Sequence, residues 1–467
     1  MAGQLILALS ILVSLHEFGH YITAKWFKMR VDKFYLFFDF LFPVPTLLNF
    51  SLFKKKVGDT EYGIGWFPLG GYVSIAGMID ETQDASKLAA TPEPWEFRGK
   101  PAWQRLIVML GGIIVNIILG ILIFVVLTFK NGNNFVSKAE INKTGVAAGE
   151  LARKLGFKNG DKIVAVNGKD IKAFSEIYSP DVMLGDNASI SIERLGQQID
   201  IKIPRDFANK IIDKKKNGGF LDPMLTFHVG GLTPAEKPSL IKKIIAFFKG
   251  QPTPTEVVYP ATLAGIQEGD SITHVNNSPV KYFHEFSQNL EVNKNKTISL
   301  KFVRKGKQDS LNINVNKEGK LGIMPALHSN LKESHEDYTF GQSIGVGTNK
   351  AFAVITDNLK AFSKIFKNEI DASKAISGPI GISQIFGGTW DWNRFWMLTG
   401  LLSMSLAFMN ALPIPALDGG HAIFLIWEII TGKTPSVKVQ EIAQQIGTFM
   451  LLGLMVFAFG NDIFKLF

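Results

Sequence analysis

The sequence predicts a polytopic α-helical membrane protein with about four transmembrane helices, two α/β modules between them and a membrane-associated β-hairpin loop. Three observations predict it. Apolar segments near or above the roughly 20 residues that a helical span needs cluster at both ends of the chain. The stretch between them carries an internal repeat. A Gly-rich, charge-poor stretch with strand-like alternation falls between the first two apolar segments. Composition fits such a mosaic. Of 467 residues, 46% are hydrophobic and 19% charged, which is greasy for a soluble chain and too polar for one wholly in lipid.

The first apolar segment covers residues 4–27. It lacks the basic start and A-x-A site of a cleaved signal peptide, so it reads as an uncleaved anchor. The second, residues 106–129, holds no charge. The third, 395–417, reads FWMLTGLLSMSLAFMNALPIPAL. The fourth, 446–459, is short unless it runs on to 467 past Asp462. The run HAIFLIWEII at 421–430 is too short to span and is expected at the interface. Lys25, Lys28, Arg30 and Lys33 follow the first segment, and Lys54, Lys55, Lys56, Arg98, Lys100 and Arg105 precede the second. This pattern puts the 28–105 loop in the cytoplasm and residues 130–390 outside it. Cations crowded beside apolar segments also account for the net charge of +9 and argue against a nucleic-acid partner.

The outer segment repeats itself. LGFKNGDKIVAVNG at 155–168 matches AGIQEGDSITHVNN at 264–277, with Gly156, Gly160, Asp161, Ile163, Val166 and Asn167 against Gly265, Gly269, Asp270, Ile272, Val275 and Asn276. Downstream, ISIERLGQQIDIKI and LKFVRKGKQDSLNINV each read as two alternating strands about a Gly turn, with Arg194 matching Arg304. The pattern resembles a PDZ domain, a fold that binds extended peptides at a sheet edge. Residues 131–225 and 226–326 are thus expected to be tandem PDZ-like domains with a possible peptide ligand. PSLIKKIIAFFKGQ at 238–251 reads as an amphipathic insertion in the second, and 327–390 as a linker of amphipathic helices. The flanking parts, 1–130 and 391–467, form two membrane halves.

Chemistry concentrates where it is least expected. His16 and His20 sit four apart inside the first apolar segment, which on a helix puts both imidazoles on one face. Glu17 lies beside them, completing H-E-x-x-H, the zinc protease pattern with two ligands and a general base. Alone, such a triplet also arises by chance on surface helices. Within a membrane segment, ionisable side chains are costly and face a partner or a watery cavity. There is no cysteine, so a metal must be held by His, Asp or Glu. A catalytic zinc site usually has three protein ligands. The third is expected to be Asp418, in NALPIPALDGGHAIF, where Pro413 and Pro415 should break the helix and Gly419 and Gly420 let the chain turn. His421 and Glu428 are competing candidates, the first expected behind the ligands and the second at the end of an interfacial helix.

H-E-F-G-H in the first membrane helix, N-x-x-P-x-P-x-L-D-G-G in a later one and tandem PDZ-like modules between them resemble the site-2 protease family of intramembrane zinc metalloproteases, over essentially the whole chain. The resemblance implies Zn2+ on His16, His20 and Asp418, Glu17 as the base, and Asn410 with Pro413 and Pro415 at the substrate. It implies a β-loop dipping into the membrane, here EYGIGWFPLGGYVSIAGM at 61–78 with Gly70 and Gly71, whose edge pairs with an unwound substrate. It also implies a bacterial inner-membrane location, transmembrane protein substrates such as anti-sigma factors or signal-peptide remnants in a stress response, and PDZ domains that gate access. The second helix of the family often carries G-P-x-x-N. This chain has Gly112, Ile113 and then Asn116, so the Asn is kept and the Pro-induced break is not expected. The main rival is a non-catalytic, membrane-tethered scaffold that binds partner tails. A metal transporter fits less well, since four spans with one metal motif lack a polar path.

Overall fold

The computed structural model describes residues 1–40, 48–68, 70–78, 91–212, 219–235, 238, 246, 250, 252, 255–326 and 331–466. It divides into two units, one formed by Met1–Asn133 with Glu336–Phe467 and one by Asn134–His335.

The first unit is a helical assembly with one sheet. Its helices are α1 (Ala2–Trp26), α2 (Ala102–Asn131), α3 (Phe340–Phe366), α4 (Trp392–Ala411), α5 (Asp418–Thr431) and α6 (Val437–Leu466). Among the described residues, three helical stretches are both long and apolar enough to cross a membrane: Ala2–Trp26, Ala102–Asn131 and Lys438–Lys465. The expected third span is α4, which is 20 residues long and less apolar. Its polar groups serve the interior: Ser403 Oγ donates to the Asn116 carbonyl of α2 at 2.7 Å, and Ser405 Oγ accepts from Asn358 of α3 at 3.1 Å. The fourth span does run past Asp462. That carboxylate is buried because it accepts the backbone N–H groups of Gly378 and Gly381 at 2.9 Å each, around the start of the short helix Pro379–Ile385.

Helix α2 runs unbroken through Gly111, Gly112 and Ile113, as the missing Pro allows. The glycines serve packing. A Cβ on Gly19 of α1 would lie 2.3 Å from the Gly111 carbonyl oxygen, so the two backbones touch. Helix α3 begins at a capping box. Thr339 Oγ1 accepts from Gln342 N, and Gln342 Oε1 accepts from Thr339 N.

The sheet holds β1 (Val31–Leu36), β2 (Ser51–Val57), β3 (Thr60–Gly65) and β4 (Tyr72–Ile75), in the order β2-β3-β1-β4. The expected hairpin over 61–78 does not form as such. β3 pairs parallel to β1 while β4 pairs antiparallel to its other side, so β1 separates them. The connection at 66–71 carries Pro68 and two glycines and is too long for a tight hairpin turn. Ala24, Met29, Val31, Ile75 and Val108 form one buried cluster that seats the β1–β4 end of the sheet on α1 and α2.

The second unit contains two related β-modules. In the first, the strands are Lys162–Val166, Lys169–Asp170, Ser189–Arg194 and Gln197–Lys202, in an antiparallel sheet with Lys162–Val166 and Ser189–Arg194 at its centre. The second has Ser271–Val275, Ser278–Pro279, Thr297–Arg304 and Lys307–Asn314 in the same arrangement. The repeated residues do equivalent work. Asn167 and Asn276 take positive φ of 52° and 54° at the turn after the first strand, a conformation Asn tolerates. Each side-chain oxygen accepts from a backbone N–H of the neighbouring strand, Ser189 and Ser299, at 2.9 Å. Residues 238–251, the expected insertion, lie almost entirely outside the described residues.

Candidate metal centre

Helix α1 carries His16, Glu17 and His20 near its middle, with both imidazoles on one face and ring centroids 4.9 Å apart. Helix α4 ends at Ala411, and residues 412–417 break the path before α5 starts at Asp418. Pro413 and Pro415 stand in this break, and Ala416 turns the chain with φ 77°. Gly419 and Gly420 do not make the turn. They lie in the first turn of α5, where a Cβ would come within 2.4 Å of the Leu412 and Ile414 carbonyl oxygens, so their smallness lets α5 fold back on the break.

This returns Asp418 to the histidines. His16 Nε2 lies 3.2 Å and His20 Nε2 3.3 Å from Asp418 Oδ2, and the two Nε2 atoms are 3.3 Å apart. A tetrahedron with metal–ligand bonds of about 2.0–2.1 Å has edges of roughly 3.3–3.4 Å. The three atoms thus have the spacing of one face of a zinc coordination sphere. His20 Nδ1 is 2.8 Å from the Val108 carbonyl oxygen, which only accepts, so Nδ1 carries the hydrogen and, in the neutral ring, Nε2 is bare. Asp418 Oδ2 is buried and has no hydrogen-bond donor aligned with it, despite the short distances. Converging lone pairs repel one another unless a cation lies among them, so these residues fit a metal ion. Among the described residues this is the group of His, Asp and Glu side chains whose ligand atoms all lie within 4.8 Å of one another.

Beside the triangle lies a cavity of about 180 Å³, lined by Glu17, Gly71, Tyr72, Val73, Ile75, Met109, Leu417, His421 and Gln444 as well as the three ligand candidates. Strand β4, at one end of the sheet order, therefore runs along the cavity. Glu17 touches the Val73 backbone N–H. Asn410 Nδ2 is 3.4 Å from His16 Nε2, and Asn116 Nδ2 is 3.2 Å from His16 Nδ1, so both asparagines reach the histidines. Gly70 sits against the Phe38 ring rather than on the cavity. Pro413 and Pro415 are not among the lining residues.

The competing third ligands separate cleanly. His421 lines the cavity but is not among the clustered ligand atoms. Glu428 is turned away and forms an ion pair with Arg105 of α2, which an interfacial helix end did not foretell. Gly112, which lacks the family's Pro neighbour, faces both imidazoles: a Cβ there would be 2.5 Å from His16 Cε1 and His20 Nε2. A glycine beside Asn116 on an apolar helix was the signal available.

A membrane-type helical unit with a His-His-carboxylate cluster and a neighbouring Glu defines a metallopeptidase class of site. The family-wide comparison agrees. The model of peptidase family M50 matches residues 4–454, and the chain belongs to that family, the site-2 proteases, which are zinc metalloproteases. The chain is 27% identical over 481 residues to "Putative zinc metalloprotease NMA0084" of Neisseria meningitidis, covering 99% of this chain and 98% of that protein. It is 26% identical to the regulator of sigma E protease of Haemophilus influenzae over 476 residues, and to the regulator of sigma-E protease RseP of Salmonella typhimurium over 478. Each of these two alignments covers 99% of this chain and 98% of the relative. With its apolar helices, this likeness marks the chain as a bacterial inner-membrane protein.

Proposed function

We infer that the protein hydrolyses a peptide bond within or near the transmembrane segment of a single-span membrane protein, with anti-sigma-factor-like proteins and signal-peptide remnants as the substrate classes. The observation that carries this is the 3.2–3.3 Å triangle of His16, His20 and Asp418 beside Glu17, with His16, Glu17 and His20 on a helix long and apolar enough to cross a bilayer. In this reading His16, His20 and Asp418 hold the zinc ion. When bound, zinc supplies Lewis acidity, which activates water at neutral pH and polarises a carbonyl. The Glu17 carboxylate takes the proton from the attacking water and returns it to the leaving amine nitrogen. The Asn410 carboxamide donates to the substrate backbone or to the developing oxyanion, and Pro413 and Pro415 hold the break that presents it.

A substrate helix must unwind before its carbonyl is accessible, and its freed backbone groups then need partners. Strand β4, with Gly71 beside it along the cavity, offers such an edge. Helix α4 completes a set of four spans, with residues 28–105 cytoplasmic and the β-modules extracytoplasmic. Residues 131–225 and 226–326 are read as PDZ-like domains, supported by their repeated sheet order, and they gate substrate entry. The test is cleavage of a reconstituted single-span substrate by wild type and Glu17→Gln, with metal content measured in both. Lost cleavage with retained zinc is the expected result. Normal cleavage by Glu17→Gln sinks the catalytic reading.

A further inference from the structure

Helix α2 supplies no ligand to the metal cluster, yet it faces both of its imidazoles. At one end Val108 accepts from His20 Nδ1 and fixes that ring's tautomer. Eight residues on, Asn116 meets the corresponding atom of His16, with carboxamide Nδ2 3.2 Å from Nδ1. If His16 Nε2 is to bind a metal, Nδ1 must carry the hydrogen, and a donor then faces a donor. The oxygen of the same carboxamide, Oδ1, is buried and has no partner. The two ends of an Asn side chain are isosteric, so a half-turn exchanges them without moving any other atom. The exchange removes the nitrogen–nitrogen contact and gives the orphaned oxygen a donor, while Nδ2 takes the oxygen's former place.

We propose that Asn116 is a positioning residue whose carboxamide oxygen accepts the His16 Nδ1 hydrogen, fixing the tautomer that offers Nε2 to the metal. The proposal rests on the reading of His16 as a ligand. Three features support it. Asn116 is fully buried. Its backbone is pinned from the far side by Ser403 Oγ of α4, which holds the carboxamide in place. Gly112, one turn earlier, leaves the space through which both rings approach α2. Histidines that bind metals usually donate their second nitrogen to a carboxylate or carbonyl. Here a neutral carboxamide does so, which adds no further negative charge to a site already holding Asp418 and Glu17.

The experiment measures zinc affinity of the purified full-length protein by competition with a chromophoric chelator. Asn116→Leu keeps the size and removes the acceptor, and its affinity is expected to fall about 10–100-fold. Asn116→Asp keeps an acceptor and cannot donate, and it is expected to bind zinc within about threefold of wild type or more tightly. Wild-type affinity in Asn116→Leu overturns the proposal. So does an Asn116→Asp affinity as low as that of Asn116→Leu. Thermal unfolding of the metal-free proteins checks that each variant folds, and Asn116→Ala replaces the Leu variant, read in the same way, if that one does not. His16→Ala separates the two levels of the argument. If it keeps zinc, the ligand reading fails. If it loses zinc while Asn116→Leu does not, the positioning role alone fails.

Discussion

Both units of the chain bury aspartates, and they treat them in opposite ways. In the β-modules, Asp161 and Asp270 have side chains only 1% exposed. Each receives two hydrogen bonds of 2.7 Å from one guanidinium, Arg194 or Arg304, and a third from a backbone N–H, that of Lys158 or Gln267. Each arginine also reaches back to a glycine carbonyl, Gly156 or Gly265, and so ties the Gly-Asp turn to the neighbouring strand. In the helical unit Asp418 is also largely buried, but its Oδ2 lies 3.2–3.3 Å from the His16 and His20 Nε2 atoms and has no hydrogen-bond partner. A buried charge with all its partners acts as a staple. One left without a hydrogen bond and facing two imidazole nitrogens is fitted to hold a cation. Asp462 shows that membrane-type surroundings are not the cause, since it lies in α6 and has both oxygens filled by glycine N–H groups.

The contrast is breakable in order of effect. The largest loss is expected from Glu17→Gln, which should lower the cleavage rate by about 10²–10⁴-fold or more without releasing zinc, as a substrate assay and metal analysis will read. Asp418→Ala comes next. Its zinc affinity should fall by at least about 100-fold, because a ligand counts for more than the groups behind it. Full zinc occupancy in that variant would move Asp418 from the site class to the staple class. Asp270→Asn should do the reverse. Zinc binding stays, while the second β-module loses about 2 kcal/mol, the scale of hydrogen bonds to a charged group. Hydrogen exchange over 265–304 is the measurement, and unchanged protection there removes the staple half of the comparison.

The smallest effect is on pH. Burial pushes the Asp270 carboxyl up, but the Arg304 and Gln267 hydrogen bonds outweigh it and hold the carboxyl below its ordinary value. A carboxylate lowered in the folded state stabilises fully above its unfolded pKa of about 3.9 and loses that contribution as pH falls through the lower folded value. The second module should therefore keep its stability from neutral pH down to about 4 and weaken below it, with Asp270→Asn flattening that limb.

Much of this was legible in one dimension, and the limits have a physical pattern. Four-residue spacing put His16 and His20 on one helix face, because helical geometry is local. The Gly-Asp and Asn positions of the repeat announced two like modules, because turns dictate their own residues. Pro413 and Pro415 marked the break before Asp418 for the same reason. What tertiary structure decided was which distant surfaces meet. That β1 would separate β3 from β4 depends on pairing between segments about thirty and about forty residues apart, and alternation alone is blind to partners. That Arg105 would claim Glu428, and that Asp462 would serve glycine N–H groups, follows from helix packing. The same holds for the role of α2. The family pattern pointed to Gly112 and Asn116, but only the close backbone crossing at Gly19 and Gly111 brings them against the histidines. The sequence by itself determined the chemistry available, since residue identity and short-range periodicity are intrinsic to the chain. The fold alone decided that residues 16 and 418 share one point in space, since closing so long a loop depends on the packing of every helix between them.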